Sequence, residues 1–85
     1  MDKLSIFRYY TNVDVVIKKH SQKEPVYGVI IGFEPKPYDK LERWLFLNNL
    51  DKEDFNKTGN PNLIIPIEHS DIDNIDFQIK LQTIT

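Results

Sequence analysis

Cysteine is absent from this chain of 85 residues, which also has only three glycines and one methionine. Without cysteine there is no disulfide framework, no thiolate zinc site and no cysteine nucleophile. No apolar run is long enough for a signal peptide or a membrane span, so we expect a cytoplasmic protein that does not insert into membranes. The length leaves room for one core, and we assign residues 1–85 to a single small domain.

A broad basic surface is also missing, although the charge is unevenly distributed. The formal net charge is −2, with five Lys/Arg against three Asp/Glu in residues 1–24 and three against seven in residues 51–85. Binding along a phosphate backbone requires a wide positive field, which this distribution does not provide. The charge distribution therefore allows only a small, local nucleic-acid-binding patch.

Five segments have the composition or apolar periodicity of β-strands, and they cover about residues 13–19, 26–34, 43–49, 63–68 and 75–82. The clearest segment is the last, where apolar and polar residues alternate strictly. Its predicted buried face consists of Ile75, Phe77, Ile79 and Leu81. Gly28 and Gly32 within the second segment indicate one long, curved strand that another backbone approaches closely.

Two regions allow more than one interpretation. Leu4, Phe7 and Tyr10 have the spacing of one helix face, although residues 6–10 also suit a strand. Residues 39–55 could form a helix, but their apolar face would be too broad for a surface helix. We therefore predict an all-β, mainly antiparallel fold of five strands, with or without a short N-terminal helix. An α+β fold with a helix around 39–55 is the alternative. The polar stretch 51–62 is interpreted as an exposed loop.

The densest acidic stretch is HSDIDNIDF, residues 69–77. A calcium loop that begins at Asp71 would need an oxygen ligand where Ile75 stands and a glutamate where Gln82 stands. We instead interpret the stretch as a single 3₁₀ turn that places Ile72 and Ile75 on one side. In this interpretation Ser70 or Asp71 caps the turn by accepting a backbone N–H bond.

Other chemical motifs are weak. His69 with Glu68 and Asp71 could offer three ligands, but residues 68 and 69 would point to opposite sides of a strand. None of the serines stands in a nucleophile-elbow sequence, and the two strand glycines do not precede a helix as a phosphate cradle requires. We predict no catalytic residue, no metal and no other cofactor, and hence a protein that is not an enzyme.

The stretch VDVVIKKHSQKEPVYGVIIGFEP, residues 13–35, resembles the opening half of Sm-like small β-barrels. In that family a V-x-V-x-L-K strand is followed by a bent strand that ends in a Gly-Phe-Asp type of sequence. The matching residues here are Val13, Val15, Ile17, Lys18, Gly28, Gly32, Phe33 and Glu34.

The later stretch LIIPIEHSDIDNI, residues 63–75, looks like the ending of SH3-like and Sm-like barrels, including the YolD-like group. There, two aliphatic residues in a short turn plug the barrel end, and their counterparts here are Ile72 and Ile75. The resemblance covers about residues 11–82 and implies a five-stranded barrel. The Met-Asn and Arg-Gly pairs of RNA-binding Sm proteins are replaced by PKPYDKLE and PIEHSD, so no residue is assigned as an Sm-type RNA ligand.

Two binding functions follow as hypotheses. The first is a module that binds a protein partner or a second copy of itself through an aromatic and basic loop surface, because tyrosine, tryptophan and arginine are enriched at binding hot spots. Its candidate residues are Lys36, Tyr38, Lys40, Arg43 and Trp44, although Trp44 is better interpreted as a core residue. The alternative is nucleic-acid binding, in which rings stack on bases beside cations. Its candidate residues are Arg8, Tyr10, Lys18, Lys19 and His20.

Overall fold

The five strands form one antiparallel sheet, accompanied by two short α-helices, in the computed structural model, which describes residues 2–78. The strands are β1 (Asp14–Lys19), β2 (Val26–Glu34), β3 (Arg43–Asn48), β4 (Ile64–Glu68) and β5 (Ile72–Phe77). Their order in the sheet is β4-β3-β2-β1-β5. The predicted, mainly antiparallel β fold is therefore confirmed. Within the described residues β4 and β5 lie at opposite edges and do not pair, so this sheet is not closed.

The first four strands begin and end within one residue of their predicted bounds. The alternative helix around 39–55 is wrong, because residues 43–48 form β3 in the middle of the sheet. The fifth strand starts at Ile72 rather than Ile75. Ile79 and Leu81, which were predicted to continue its buried face, lie outside the described residues.

The core lies against one face of the sheet and is closed by the N-terminal helical segment. Each large apolar side chain of this core stabilises the fold by roughly 1.5–3 kcal/mol when it is fully buried. The buried cluster consists of Ile6, Val15, Ile17, Ile30, Leu41, Trp44, Phe46, Ile67, Ile72 and Ile75. Phe77, although predicted to be buried, is half exposed.

Gly28 lies where β2 and β3 come closest. A Cβ at this position would lie 2.1 Å from the carbonyl oxygen of Leu47 and 2.6 Å from Cζ of Phe46. The close approach of another backbone, predicted from the strand glycines, is thus confirmed at Gly28. At Gly32 an added Cβ would meet only Cδ1 of Leu45, at 3.5 Å. Gly32 instead adjoins the bulge that bends β2, where the β2–β3 register shifts.

The N-terminal residues, for which the sequence allowed either a helix or a strand, are helical. Helix α1 (Lys3–Ser5) continues as a π-helical turn, Ile6–Tyr10. The carboxylate of Asp2 begins it by accepting the backbone N–H of Leu4 at 3.2 Å. Ile6 is the residue that this segment buries, so Leu4 and Phe7 of the predicted helix face remain largely accessible.

The stretch 51–62, predicted to be an exposed loop, contains helix α2 (Lys52–Thr58), so that prediction was wrong. Acidic residues in its first turn stabilise the helix, because they lie at the positive end of the helix dipole. An ion pair of 3.1 Å joins Lys57 and Glu53 one turn apart. Gly59 ends the helix with φ 63°, and its N–H bonds to the carbonyl of Phe55 at 2.8 Å.

The turn before β5 differs from the prediction in position and in its cap. The 3₁₀ turn is His69–Asp71, and no side chain caps it. Ile72 and Ile75 both lie in β5 and both are buried. A strand would normally send residues three apart to opposite faces. Here Lys18 pairs with Asn74 and Lys19 with Ile72, so one extra residue in β5 forms a bulge that restores the inward direction.

Candidate protein-binding surface

Three aromatic rings from separate segments meet at one end of the sheet. Phe7 comes from the helical segment, Phe33 from the end of β2, and Tyr38 from the 3₁₀ turn Tyr38–Lys40. The ring centroids of Phe7 lie 5.8 Å from Phe33 and 5.1 Å from Tyr38, and Phe33 and Tyr38 are 5.8 Å apart. All three contacts are edge-to-face, the arrangement that aromatic pairs prefer. We call these residues the aromatic triad.

The triad has one side on the core and one side in solvent. Phe33 and Tyr38 pack against the core cluster, and the ring of Phe33 lies 6.1 Å from that of Trp44. Phe7 is 42% exposed. Phe7 thus presents a partly exposed apolar ring that contacts two other rings.

A pocket of about 240 Å³ opens beside the triad. It is lined by Phe7, Thr11, Asn12, Ile31, Gly32, Phe33 and Lys36. Its volume is below the 300–1,000 Å³ or so of pockets that enclose small-molecule ligands. The pocket is therefore better suited to one side chain of a larger partner than to a whole small-molecule ligand.

The pocket wall is fixed by the chain that leaves the helical segment. The N–H of Asn12 bonds to the carbonyl of Ile30 at 2.8 Å, next to the bulge in β2. Asn12 has φ 61°, a left-handed conformation that asparagine tolerates better than most residues. The hydroxyl of Thr11 donates to the carbonyl of Phe7 at 2.6 Å. These bonds tie Thr11 to the helical segment and Asn12 to β2.

Lys36 supplies the positive charge at the rim. Its Nζ lies 5.8 Å from the centroid of the Phe33 ring, within the range of a cation–π interaction. Its side chain is exposed, and no carboxylate of residues 2–78 forms an ion pair with it. The ammonium group is therefore available to a partner.

Four of the five residues predicted for protein binding lie in or near this surface, but in different environments. Lys36 and Tyr38 belong to it, and Lys40 is exposed at the end of the same 3₁₀ turn. Trp44 is fully buried below Phe33, and its Nε1 donates to Nδ1 of His69 at 3.1 Å. Trp44 thus supports the triad from the core and presents no surface of its own.

Arg43, the fifth predicted residue, is held by acidic residues. Its Nε donates to Glu34 at 2.9 Å, and its Nη1 lies 3.4 Å from Glu42 and 4.0 Å from Glu68. These carboxylates come from three different segments of the chain. Because they already neutralise the guanidinium, Arg43 contributes less positive charge to the surface than its sequence position suggested.

Sequence reasoning missed Phe7 and Phe33 as surface residues. The helical spacing of Leu4 and Phe7 was a usable signal, since both remain accessible while Ile6 enters the core. Phe33 gave no such signal, because it is one of several apolar residues in the β-branched and aromatic run of β2. Its position beside Phe7 depends on the tertiary structure.

The residues predicted for nucleic-acid binding are not brought together. Tyr10 packs on Phe77 with ring centroids 4.9 Å apart, and Phe77 pairs with Val15. Lys19 pairs with Ile72 at the other end of β5. Val15 and Lys19 are four residues apart along β1, so the two groups of candidate residues lie roughly 13 Å apart. Arg8 is exposed on the helical segment, beside the Tyr10 end.

Acidic groups also surround the end of β1. Nδ1 of His20 lies 3.8 Å from the carboxylate of Asp73. The backbone N–H of His20 bonds to the carbonyl of Asp71 at 2.8 Å. The carboxylate of Asp71 accepts the N–H of Ser21 at 2.8 Å and also its hydroxyl. The hydroxyl bond of Ser21, opposed in part by desolvation, holds the pKa of Asp71 below its ordinary value.

Replacing Ser21 with alanine should raise the pKa of Asp71 toward its ordinary value. Because the native pKa is lowered, this carboxylate stabilises the fold fully above its ordinary pKa, and the contribution disappears as the pH falls through the lowered value. The measurement is an NMR titration of the Asp71 side-chain carbon in wild type and Ser21→Ala. An unchanged titration curve would show that the hydroxyl bond has no such effect.

A larger pocket of about 560 Å³ is lined by Val16, Tyr27, Asp76, Phe77 and Gln78. It borders Gln78, where the described part of the chain ends, and we assign no site to it. Across residues 2–78, no group of three His, Asp or Glu side chains is placed to hold a metal ion. The same part of the chain contains no helix with the length and apolarity of a membrane span.

Comparison with known proteins gives no relative: no family model, no curated protein and no solved structure matches this chain.

Proposed function

We propose that this chain is a non-enzymatic interaction module that binds a protein segment through the aromatic triad and the adjoining pocket. The observation that carries the proposal is the exposure of Phe7 while Phe33 and Tyr38 hold its ring in place. Rigid aromatic side chains provide large contact area at low entropic cost. The partner is a different protein or a second copy of the chain.

We further propose that the sheet belongs to the small barrels of SH3-like or Sm-like type. Support comes from the strand order β4-β3-β2-β1-β5, from the bulge that bends β2, and from the 3₁₀ turn between β4 and β5. In such an architecture the loops at one end of the sheet commonly hold the ligand. The triad occupies such an end.

Peptide selection tests the binding function directly. A random twelve-residue phage library is selected on the full chain, and a recovered peptide is then titrated against Phe7→Ala. We expect affinity to fall at least about tenfold, as for truncation of a hot-spot aromatic residue. Circular dichroism of the variant checks that it remains folded.

The matched control is Tyr9→Ala, which removes a 61% exposed ring from the same helical segment but from outside the triad. Its affinity should stay within about twofold of wild type, as for contacts that are not hot spots. Equal losses for both variants, or the recovery of no binding peptide, would contradict the proposed function. Light scattering then tells a second copy from a different partner.

Nucleic-acid binding receives less support, because Arg8 and Tyr10 lie on the helical segment. The other candidate residues are at the end of β1, where the carboxylates of Asp71 and Asp73 are close. We expect a labelled single-stranded RNA to bind only weakly even at about 50 mM salt, where phosphate contacts are strongest. A fluorescence anisotropy titration at low and high salt measures this. Tight binding that weakens steeply with salt and is lost in a Lys18→Glu, Lys19→Glu double variant would favour the alternative function.

A further inference from the structure

Resting on the proposed function, we infer that the segment bound by the triad carries one apolar anchor side chain with a carboxylate residue beside it. The apolar anchor would enter the pocket beside Phe7 and Phe33, and the carboxylate would meet Lys36 at the rim. This assigns the partner a chemical class, an acidic–apolar peptide.

The pocket itself specifies the anchor. Phe7, Ile31 and Phe33 supply apolar walls, so removal of an apolar side chain from water into this space is favourable. Thr11, Asn12 and Lys36 add polar groups to the same lining.

The rim specifies the neighbouring charge. Lys36 is exposed and its ammonium group is held over the Phe33 ring, at the mouth of the pocket. The carboxylate of Glu34, two residues away, is already bonded to Arg43 at 2.9 Å. Lys36 thus presents a positive charge that no carboxylate of the described chain compensates. An acidic residue next to the anchor is the complementary group.

The test compares peptide pools selected in parallel on wild type, Phe7→Ala, Lys36→Glu and Lys23→Glu. The last variant is the matched control, since Lys23 is exposed in the turn between β1 and β2 and forms no ion pair among residues 2–78. We expect wild type and Lys23→Glu to enrich an apolar residue flanked by Asp or Glu. Lys36→Glu should keep the apolar residue and change the flanking preference to Lys or Arg.

Titration of individual peptides gives the size of the effect. Changing the flanking acid to its amide should weaken binding to wild type about 1.5- to 5-fold, the range of exposed ion pairs. A peptide with lysine in that place should recover affinity on Lys36→Glu but not on Lys23→Glu.

The two levels of the proposal fail in different ways. If Phe7→Ala enriches the same peptides as wild type, binding does not use the triad and the proposed function is wrong. If Phe7→Ala loses those peptides but Lys36→Glu retains the preference for Asp and Glu, the triad binds as proposed and the inference about the acidic neighbour is overturned.

Discussion

Replacing Trp44 with alanine is expected to lower the free energy of unfolding by about 3–5 kcal/mol, the usual cost of removing a large aromatic side chain from a core. Trp44 is fully buried, lies beneath Phe33 and bonds to His69. A domain of this size has a total stability on the order of 4–13 kcal/mol, so this loss would take a large fraction of it and would unfold the variant at the lower end of the range.

Urea denaturation followed by far-ultraviolet circular dichroism measures this loss and does not depend on the tryptophan signal. Tyr9→Ala serves as the control, because the exposed Tyr9 ring should contribute within about 0.5 kcal/mol. A Trp44→Ala chain that lost less than about 1 kcal/mol would contradict the core position of Trp44, since surface substitutions fall in that range.

The second large effect is expected at Gly28. Alanine there would place its Cβ 2.1 Å from the carbonyl oxygen of Leu47, which is backbone and cannot turn away as a side chain could. β2 and β3 would have to separate locally, at a cost of about 1–3 kcal/mol or more. The same denaturation experiment measures the loss.

Gly32→Ala is the matched control for this prediction. It adds the same methyl group to the same strand, but in contact only with the end of the Leu45 side chain at 3.5 Å. We expect Gly32→Ala to change the stability by less than about 1 kcal/mol, as volume changes that cause no overlap do. Equal losses at the two glycines would show that the effect comes from strand flexibility and not from the close approach at Gly28.

The sheet could be predicted from the sequence because its signals are local. Alternating apolar residues mark β1, and the β-branched and aromatic run marks β2, so the bounds of both strands agree with the structure. The start of β5 could not be predicted in this way. Ile72 and Ile75 are both buried only because a bulge opposite Lys18 and Lys19 shifts the register, and that bulge depends on how two distant segments pair.

Helix α2 shows a different limit. Its sequence KEDFNKT contains few apolar residues, so no helical periodicity marks it. Its signals are at the ends: Glu53 and Asp54 lie in the first turn, and Gly59 ends the helix. Such signals are weaker than apolar periodicity and are easily taken for those of a loop.

The candidate surface could be predicted only in part. Lys36 and Tyr38 stood out because a loop containing two prolines has no place in a central strand. Phe7 comes from a segment about 30 residues earlier in the chain and meets Phe33 and Tyr38 through edge-to-face contacts. The neutralisation of Arg43 could not be foreseen either, because two of its acidic partners are brought to it by strand pairing, Glu34 in β2 and Glu68 in β4.

The most direct test of a binding surface at the aromatic triad is an NMR titration of the ¹⁵N-labelled chain with a selected peptide. We predict that the largest amide shifts will cluster at Phe7, Phe33, Lys36 and Tyr38, and that they will disappear with Phe7→Ala and persist with Tyr9→Ala. Shifts centred instead on Tyr27 in the pocket of about 560 Å³, with the triad unaffected, would contradict this assignment.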